Sequence, residues 1–223
     1  MTNINPKKLA GDKAAENVKS GMTVGLGTGS TASYAIQALG HMVKDGLKIT
    51  CFPTSKASEQ LAESLHIPLM EEHEVERLDI TIDGADEVDT DKNLIKGGGG
   101  ALLREKIVGA VTDLYIIIVD ESKKVNQLGA FTVPVEVIPF AWQVTAGHIQ
   151  ELGAETTLRE SDEGYFQTDN GNYILDSDFG LINDAVSLEA RLNQIPGVVC
   201  NGLFIDMADQ VICGGTNGDI EIF

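Results

Sequence analysis

The segment Met22-Thr-Val-Gly-Leu-Gly-Thr-Gly-Ser-Thr-Ala32 decides the fold, because it joins an apolar strand to a helix through a glycine turn. Residues 22–26 have the length and apolar character of a buried strand, and a helix is predicted over residues 30–43. Further strands are predicted at residues 47–52, 78–82 and 114–119, and further helices at residues 6–20, 55–65 and 101–111. Strands that alternate with helices and are apolar on both faces predict an α/β fold, with a mostly parallel sheet covered by helices.

The sequence pattern changes after residue 127. Apart from one additional strand-like run before the second helix, the segments there follow the order strand, helix, strand, strand, helix, strand, which predicts a small α+β domain with an antiparallel sheet. These segments lie at residues 133–138, 140–152, 155–159, 165–168, 173–176, 188–195 and 198–205, with an Asn-Gly hairpin signal at residues 169–172. We therefore predict a first domain of residues 1–127 plus 207–223 and a second of residues 128–206, with residues 210–213 returning to the first sheet.

The composition excludes several classes of protein. The chain has 223 residues, of which 43% are hydrophobic, and 34 acidic against 16 basic residues give a net charge of −18. The hydrophobic fraction is large enough to form a buried core, and the negative charge disfavours nucleic acid and anionic membranes as partners. Ten acidic and two basic residues lie between Glu151 and Arg191, whereas twelve of the sixteen basic residues precede residue 121. An anion site is therefore expected in the first half of the chain.

The cysteines and the apolar runs bear on the cellular compartment. Three widely spaced cysteines favour a reducing compartment over a disulfide framework. No N-terminal apolar segment of the secretory type and no apolar run long enough to span a bilayer is visible. The sequence therefore predicts a cytoplasmic protein.

The turn that follows the first strand has the features of a phosphate cradle. Gly27 and Gly29 let the backbone approach a ligand closely, and the helix N-terminus offers N–H groups to an anion, to which Ser30 and Thr31 add hydroxyls. The segment also fits the dinucleotide pattern G-x-G-x-x-A, but the second strand ends in Phe52-Pro-Thr-Ser55 without the acidic residue that a ribose requires. A capped turn without a ligand is the alternative.

Two further segments carry candidate acid–base groups. Asp83-Gly-Ala-Asp-Glu-Val-Asp89 places four carboxylates within seven residues, directly after an apolar strand. Crowded carboxylates favour proton transfer or a cation, but the four histidines are scattered and no metal-binding spacing occurs, so no metal is expected. A solvated acidic loop is the alternative.

Lys96-Gly-Gly-Gly-Gly100 leads into a predicted helix that carries Glu105 in its first turns. Four glycines are costly to order, yet they suit a loop whose N–H groups surround an oxyanion. Lysine to stabilise negative charge and glutamate to move a proton are complementary, although Glu105 alone also fits an exposed helix position. Lys123, after the strand at 114–119, reaches the same sheet edge or belongs to a solvated charge run. The combination suits proton abstraction next to a carbonyl on a phosphorylated small molecule.

These motifs together resemble the A-type ribose-5-phosphate isomerases. Gly27–Ala32, Asp83–Glu87 and Lys96–Lys106 match that family in order and separation, and the likeness extends over essentially the whole chain, including residues 120–123 and 213–215. The resemblance implies a Rossmann-like α/β domain with a smaller ferredoxin-like α+β domain. It also implies interconversion of D-ribose 5-phosphate and D-ribulose 5-phosphate in the non-oxidative pentose phosphate pathway, without a metal or organic cofactor, by homodimers or sometimes tetramers.

The resemblance also implies roles for particular residues. Glu105 is the general base that moves the proton between C1 and C2 through an enediolate, and Lys96 with the loop amides holds the oxyanion. Asp83 and Asp86 bind sugar hydroxyls, and Asp83 assists ring opening or the proton exchange between O1 and O2. The remaining substrate-binding residues are Lys7, Thr28, Gly29, Ser30, Thr31, Gly84, Ala85, Gly97, Gly98, Gly99 and Lys123, of which Thr28–Thr31 hold chiefly the phosphate end.

Two other classes remain as alternatives. One is a nicotinamide-dependent oxidoreductase that uses the glycine turn, which the missing acidic residue disfavours. The other is a non-catalytic sugar-phosphate sensor of the kind found in transcriptional regulators, which has no need of Lys96 and Glu105. Ketose formation from ribose 5-phosphate separates all three.

Overall fold

The computed structural model describes residues 4–162 and 164–223. The helices are α1 (Pro6–Ala15), α2 (Ala32–Lys44), α3 (Lys56–Ser64), α4 (Leu102–Ala110), α5 (Trp142–Gln150) and α6 (Ala185–Leu192). The first strands are β1 (Thr23–Leu26), β2 (Thr50–Pro53), β3 (Ile80–Gly84), β4 (Glu87–Val88), β5 (Leu94–Ile95), β6 (Tyr115–Asp120) and β7 (Val133–Val137). The remaining strands are β8 (Glu155–Leu158), β9 (Glu160–Ser161), β10 (Gly164–Tyr165), β11 (Tyr173–Asp178), β12 (Val198–Asn201), β13 (Leu203–Phe204), β14 (Gln210–Gly214) and β15 (Ile220–Ile222).

The chain forms two compact units. The first runs to Ala85 and includes Arg104–Lys124 and Asp206–Phe223, and the second consists of Asp86–Leu103 and Val125–Ile205. Residues 86–103 belong to the second unit because β5 pairs with both β4 and β13, which form a three-stranded sheet. The domain boundaries drawn from the sequence leave this segment in the first domain, and they stay a prediction.

The first unit contains a six-stranded sheet with the order β15-β14-β6-β3-β1-β2. Its strands are parallel except for β15, which pairs antiparallel with β14 at one edge. The α/β prediction is thereby confirmed, and so is the return of residues 210–213, which lie in β14. Leu26 pairs with Ile82 on one side and with Pro53 on the other, so the carboxyl ends of β1, β2 and β3 meet at one edge.

Burial on both faces explains the apolar run of β6. Ile116 and Ile118 pack in a cluster with residues of α1, α2 and α3, whereas Ile117 and Val119 alternate with them and are buried on the other face. The first helix begins where the sequence predicts it, because the Asn5 side chain accepts hydrogen bonds from the free N–H groups of Lys7 and Lys8 in the first turn.

The second unit contains a four-stranded antiparallel sheet with the order β12-β7-β11-β8. With α5 after β7 and α6 after β11, this is the ferredoxin-like arrangement that the resemblance implies. Helix residues Ile149, Leu188 and Leu192 pack with the apolar residues of the sheet in a single cluster.

The hairpin predicted around residues 169–172 is different in the structure. Gly171 donates to the carbonyl of Thr168, which closes a turn, but residues 166–168 form no strand, and β10 pairs with β9 instead of β11. The Thr168 N–H donates to the carbonyl of Asn172 at 2.9 Å, and its hydroxyl donates to the buried carboxylate of Glu136, so this turn is held by both backbone and side-chain hydrogen bonds.

None of the helices in the described residues is long and apolar enough to cross a membrane.

Candidate active site

The glycine turn after β1 forms the first part of the candidate site. Gly29 has φ +101°, a left-handed conformation that favours glycine, and Thr31 precedes α2 as its N-cap. The first N–H groups of a helix lack acceptors within the helix, so residues 29–32 can present N–H groups to an anion. The strand order changes direction at β1, and this switch point is where parallel α/β sheets bind ligands. The structure therefore places the predicted cradle at the expected edge.

A group of hydroxyls surrounds Thr28. Its Oγ1 lies 2.7 Å from Thr54 Oγ1 and 2.8 Å from Ser55 Oγ, and Ser58 Oγ donates to the carbonyl of Gly27 at 2.6 Å. These contacts fix the turn against the start of α3. No sequence motif pointed to these partners of Thr28, although Thr54 and Ser55 follow a parallel strand just as the cradle does.

The two predicted lysines lie at different points of the first unit. The Lys7 ammonium donates to Ser30 Oγ at 2.9 Å, so the structure brings this lysine to the cradle. Lys123 ends the 3-10 turn Glu121–Lys123, which follows the carboxyl end of β6 directly. It therefore lies after the strand that the sequence singled out, and its role stays a prediction.

Asp83 is a buried carboxylate at the end of β3, with 0% of the residue exposed. Its Oδ1 accepts hydrogen bonds from the N–H groups of Thr28, at 3.0 Å, and Gly84, at 2.8 Å, while Tyr115 donates its hydroxyl to Oδ2 at 3.1 Å. Three donors fix the orientation of the carboxylate and offset the cost of its burial. Ala85 follows Gly84, and both are half-buried.

Glu105 lies in the first turn of α4 and is only 5% exposed, unlike the exposed helix position that was its alternative. Burial and the negative charges of Asp83 and Glu105 raise the pKa of Tyr115 well above its ordinary value. The phenol therefore stays protonated and acts as a donor. Tyr115 thus donates to Asp83 and is also influenced by the charge of Glu105, although the sequence showed it only as part of an apolar strand.

The glycine loop of the second unit follows the buried residue Lys96, whose ammonium lies 5.4 Å from the centre of the Phe204 ring. Gly97 has φ +107°, and Gly98 donates its N–H to Asp86 Oδ2 at 2.7 Å. Gly98 and Gly99 are exposed, whereas Gly97 is buried. The predicted residues Asp86, Gly97, Gly98 and Gly99 thus belong to one hydrogen-bonded loop.

The remaining carboxylates of the acidic segment have structural roles. Glu87 accepts the N–H groups of Gly129, at 2.8 Å, and Phe131, at 2.6 Å, and Asp89 accepts that of Asp91, at 2.9 Å, in a turn. Within residues 4–162 and 164–223, no group of three or more His, Cys, Asp and Glu side chains is arranged to hold a metal ion.

The first unit therefore has the architecture of α/β enzymes that bind a small anionic ligand at the switch point, with buried acid–base side chains at the same edge. The sequence profile described as "Ribose 5-phosphate isomerase A (phosphoriboisomerase A)" matches residues 50–218. The chain belongs to this family.

Individual relatives agree with this assignment over nearly their whole length. The ribose-5-phosphate isomerase A of Bacillus mycoides is 53% identical over 216 residues, which cover 96% of this chain and 98% of that protein. A solved D-ribose-5-phosphate isomerase in complex with phospho-erythronic acid matches with a TM-score of 0.95 at 41% identity, over 99% of both chains. The ribose 5-phosphate isomerase from Plasmodium falciparum matches with a TM-score of 0.93 at 39% identity, over 97% of both chains.

Proposed function

We propose that this chain interconverts D-ribose 5-phosphate and D-ribulose 5-phosphate with Glu105 as the base that moves the proton. As a member of the family, the chain is an aldose–ketose isomerase of the pentose phosphate pathway. The observation that carries the assignment of the base is the burial of the Glu105 side chain in the first turn of α4, where only 5% of the residue is exposed. One carboxylate can remove the proton from C2 and return it to C1, while the proton on O2 must move to O1 through another group.

The negative charge that develops on the enediolate requires donors that are already in place. We assign this role to the Lys96 ammonium and to the amides of Gly97, Gly98 and Gly99. The burial of Lys96 supports the assignment, because a charge in a water-poor setting interacts more strongly with an oxyanion than an exposed lysine does.

The two aspartates of the segment 83–86 are assigned to the sugar hydroxyls. Asp83 is held rigidly by three donors, which suits a group that exchanges a proton between O1 and O2 or assists ring opening. Asp86 has one oxygen bonded to the loop amide of Gly98. Since an ionised carboxylate has about four acceptor sites, it retains the capacity to accept a sugar hydroxyl.

The phosphate end of the substrate is assigned to the turn Thr28–Thr31. Helix N–H groups and hydroxyls bind phosphate without a large basic surface, and the contact between Lys7 and Ser30 adds a positive charge there. Lys123 is proposed as a second basic group, and Gly84 and Ala85 as backbone contacts of the substrate. The phospho-erythronic acid complex of the structural relative supports a phosphorylated ligand for this site.

The remaining features follow from the family resemblance. We propose a cytoplasmic enzyme that forms a homodimer or a tetramer, needs no metal or organic cofactor, and binds neither nucleic acid nor membranes. Sedimentation of the purified protein measures the state of association.

The assignment of the base is tested with Glu105→Gln, which removes the proton acceptor and keeps the size of the side chain. We expect kcat for ketose formation from ribose 5-phosphate to fall about 10²- to 10⁴-fold, the usual contribution of a positioned acid–base group. The matched control is Glu59→Gln, which changes an exposed glutamate in the first turn of α3 and should leave kcat unchanged.

Near-normal turnover of Glu105→Gln, with normal folding, would exclude Glu105 as the base. The same assay is run in EDTA, where full activity is expected. Activity that EDTA abolishes and added metal restores would contradict the cofactor-free mechanism.

A further inference from the structure

Arg159, which follows β8, holds the glycine loop of the second unit. We infer that Arg159 is a positioning residue that sets the direction of the Gly99 amide for the negative charge of the reaction. This inference rests on the proposed function, because the loop amides are assigned there to the enediolate oxygen. Arg159 lies outside every motif that the sequence singled out.

The guanidinium is fixed on two sides. Its Nη1 donates to the carbonyl oxygens of Gly97, at 2.9 Å, and Gly98, at 3.2 Å. Its Nε and Nη2 donate to the two carboxylate oxygens of Asp176, at 2.9 and 2.5 Å, in a bidentate pair. Asp176 lies on β11 in the antiparallel sheet, so the loop is connected through Arg159 to a rigid element.

Because the peptide bond is planar, the hydrogen bonds to the carbonyl oxygens also determine where the neighbouring N–H groups point. In a trans peptide, the C=O of one residue and the N–H of the next point to opposite sides. The peptide between Gly97 and Gly98 is held at both ends, by Arg159 at its oxygen and by Asp86 at its N–H. In the next peptide, Arg159 holds the oxygen of Gly98, so the N–H of Gly99 points away from the guanidinium.

A glycine loop depends on such hydrogen bonds from outside the loop more than other loops do. Glycine populates positive and negative φ about equally, so local preference does not fix a Gly-Gly peptide, and it can flip at little cost. Phe166 adds a second restraint, since its ring lies 5.6 Å from the guanidinium and a Cβ on Gly100 would come within 2.4 Å of its Cζ. The loop conformation is therefore imposed by tertiary contacts.

Charge balance distinguishes this role from direct binding of the substrate. The bidentate pair with Asp176 neutralises Arg159 locally, so its removal should change substrate affinity little. Loss of the Arg159 hydrogen bonds to the loop instead misplaces the Gly99 N–H, a donor that acts when negative charge develops in the transition state. The loss should therefore lower kcat.

The test compares Arg159→Ala and Arg159→Lys with the control Arg191→Ala, which removes an exposed arginine near the end of α6. We expect Arg159→Ala to lower kcat about 10- to 100-fold, since a misplaced donor or a shift of 1 Å costs that order, while KM changes little. Arg159→Lys should recover part of kcat, because it keeps one donor, and millimolar guanidinium chloride should partly restore Arg159→Ala. The same salt should not restore Glu105→Gln, which has lost a proton acceptor.

These measurements distinguish a failure of the positioning role of Arg159 from a failure of the proposed function. Wild-type kcat in Arg159→Ala, or a raised KM with unchanged kcat, overturns the positioning role and leaves the proposed function intact. Absence of ketose formation in both the wild type and Arg191→Ala overturns the proposed function itself. If Arg159→Ala does not fold, Asp176→Asn provides the second test, since it keeps Arg159 but loosens it and should lower kcat without raising KM; an unchanged kcat there overturns the inference.

Discussion

The close approach of Gly27 to Asp83 makes Gly27→Ala the most informative single substitution in the first unit. A Cβ built on Gly27 would lie 2.4 Å from both Cα and Cγ of Asp83 and 2.2 Å from its Oδ1. A rotamer change moves Cγ and Oδ1, but it cannot move Cα. The added methyl group must therefore push the backbone of β3 away from the end of β1.

The size of the effect follows from these distances. Separation by about 1 Å is needed to reach an ordinary van der Waals contact of 3.4 Å. The bonds from Gly27 N–H to Ile82 O, at 2.9 Å, and from Thr28 N–H to Asp83 Oδ1, at 3.0 Å, cross the same gap and would be lost. Two lost hydrogen bonds and overpacking together lower the free energy of unfolding by about 2 to 4 kcal/mol. A displacement of Asp83 by about 1 Å should lower kcat about 10²-fold.

Ketose formation followed by NMR and urea unfolding measure the two effects on the same samples. The matched control is Gly147→Ala in the middle of α5, where nothing lies within 4 Å of the added Cβ. That change should keep full activity and raise stability by about 0.5 to 1 kcal/mol, the helix preference of alanine over glycine. A Gly27→Ala protein with the activity and stability of the control would refute the steric argument.

Two further predictions concern stability. Burial raises the pKa of the Cys51 thiol to about 12, so unfolding releases its proton above about pH 9, and stability should fall by up to about 1.4 kcal/mol per pH unit between these values. Urea unfolding of Cys51→Ala should show a shallower decline over this range than the wild type, and equal slopes would contradict the prediction. Glu136 is fully buried, and its Oε1 accepts hydrogen bonds from Thr168, at 2.9 Å, and Asn172, at 2.8 Å. Glu136→Ala should cost about 3 kcal/mol, because it leaves the buried Thr168 hydroxyl and the half-buried Asn172 amide without this acceptor. A loss no larger than that of Glu160→Ala, which truncates an exposed glutamate of the same unit, would exclude this role.

The sheet of the first unit was predictable because its signal is local. Tyr115–Val119 is apolar on both faces, and the glycine turn at 27–29 separates a strand from a helix within a few residues. The assignment of residues 86–103 to the second unit has no such signal. It depends on strands of two residues, too short for any periodicity, whose partner β13 lies about a hundred residues later in the chain. Residues 198–205, predicted as one extended segment, divide at Gly202, where a Cβ would meet the carbonyl of Lys96 at 2.4 Å.

The residues of the candidate site likewise fall into those that the sequence predicts and those that only the structure shows. Asp83 directly follows a predicted strand, and Lys96 and Glu105 lie in a glycine-rich motif that leads into a predicted helix, so residue type and position suffice to find them. Tyr115 and Arg159 have neither feature. The first looks like an ordinary core residue of β6, and the second is separated by about sixty residues from the loop that it holds. Their roles depend on contacts that only the folded chain creates.

The net charge of −18 is compatible with a phosphorylated substrate, because the repulsion from distant carboxylates and the hydrogen bonds to the phosphate act over different distances. Exposed charges are screened beyond about 8 Å at physiological ionic strength, so distant carboxylates contribute little at a bound phosphate. The donors at the turn act at hydrogen-bond distance, and Lys7 lies within 2.9 Å of Ser30 there. A polyanion spans many screening lengths and meets the acidic surface as a whole, since its binding requires many basic contacts. The net charge therefore disfavours nucleic acids as ligands while permitting one small phosphate ester.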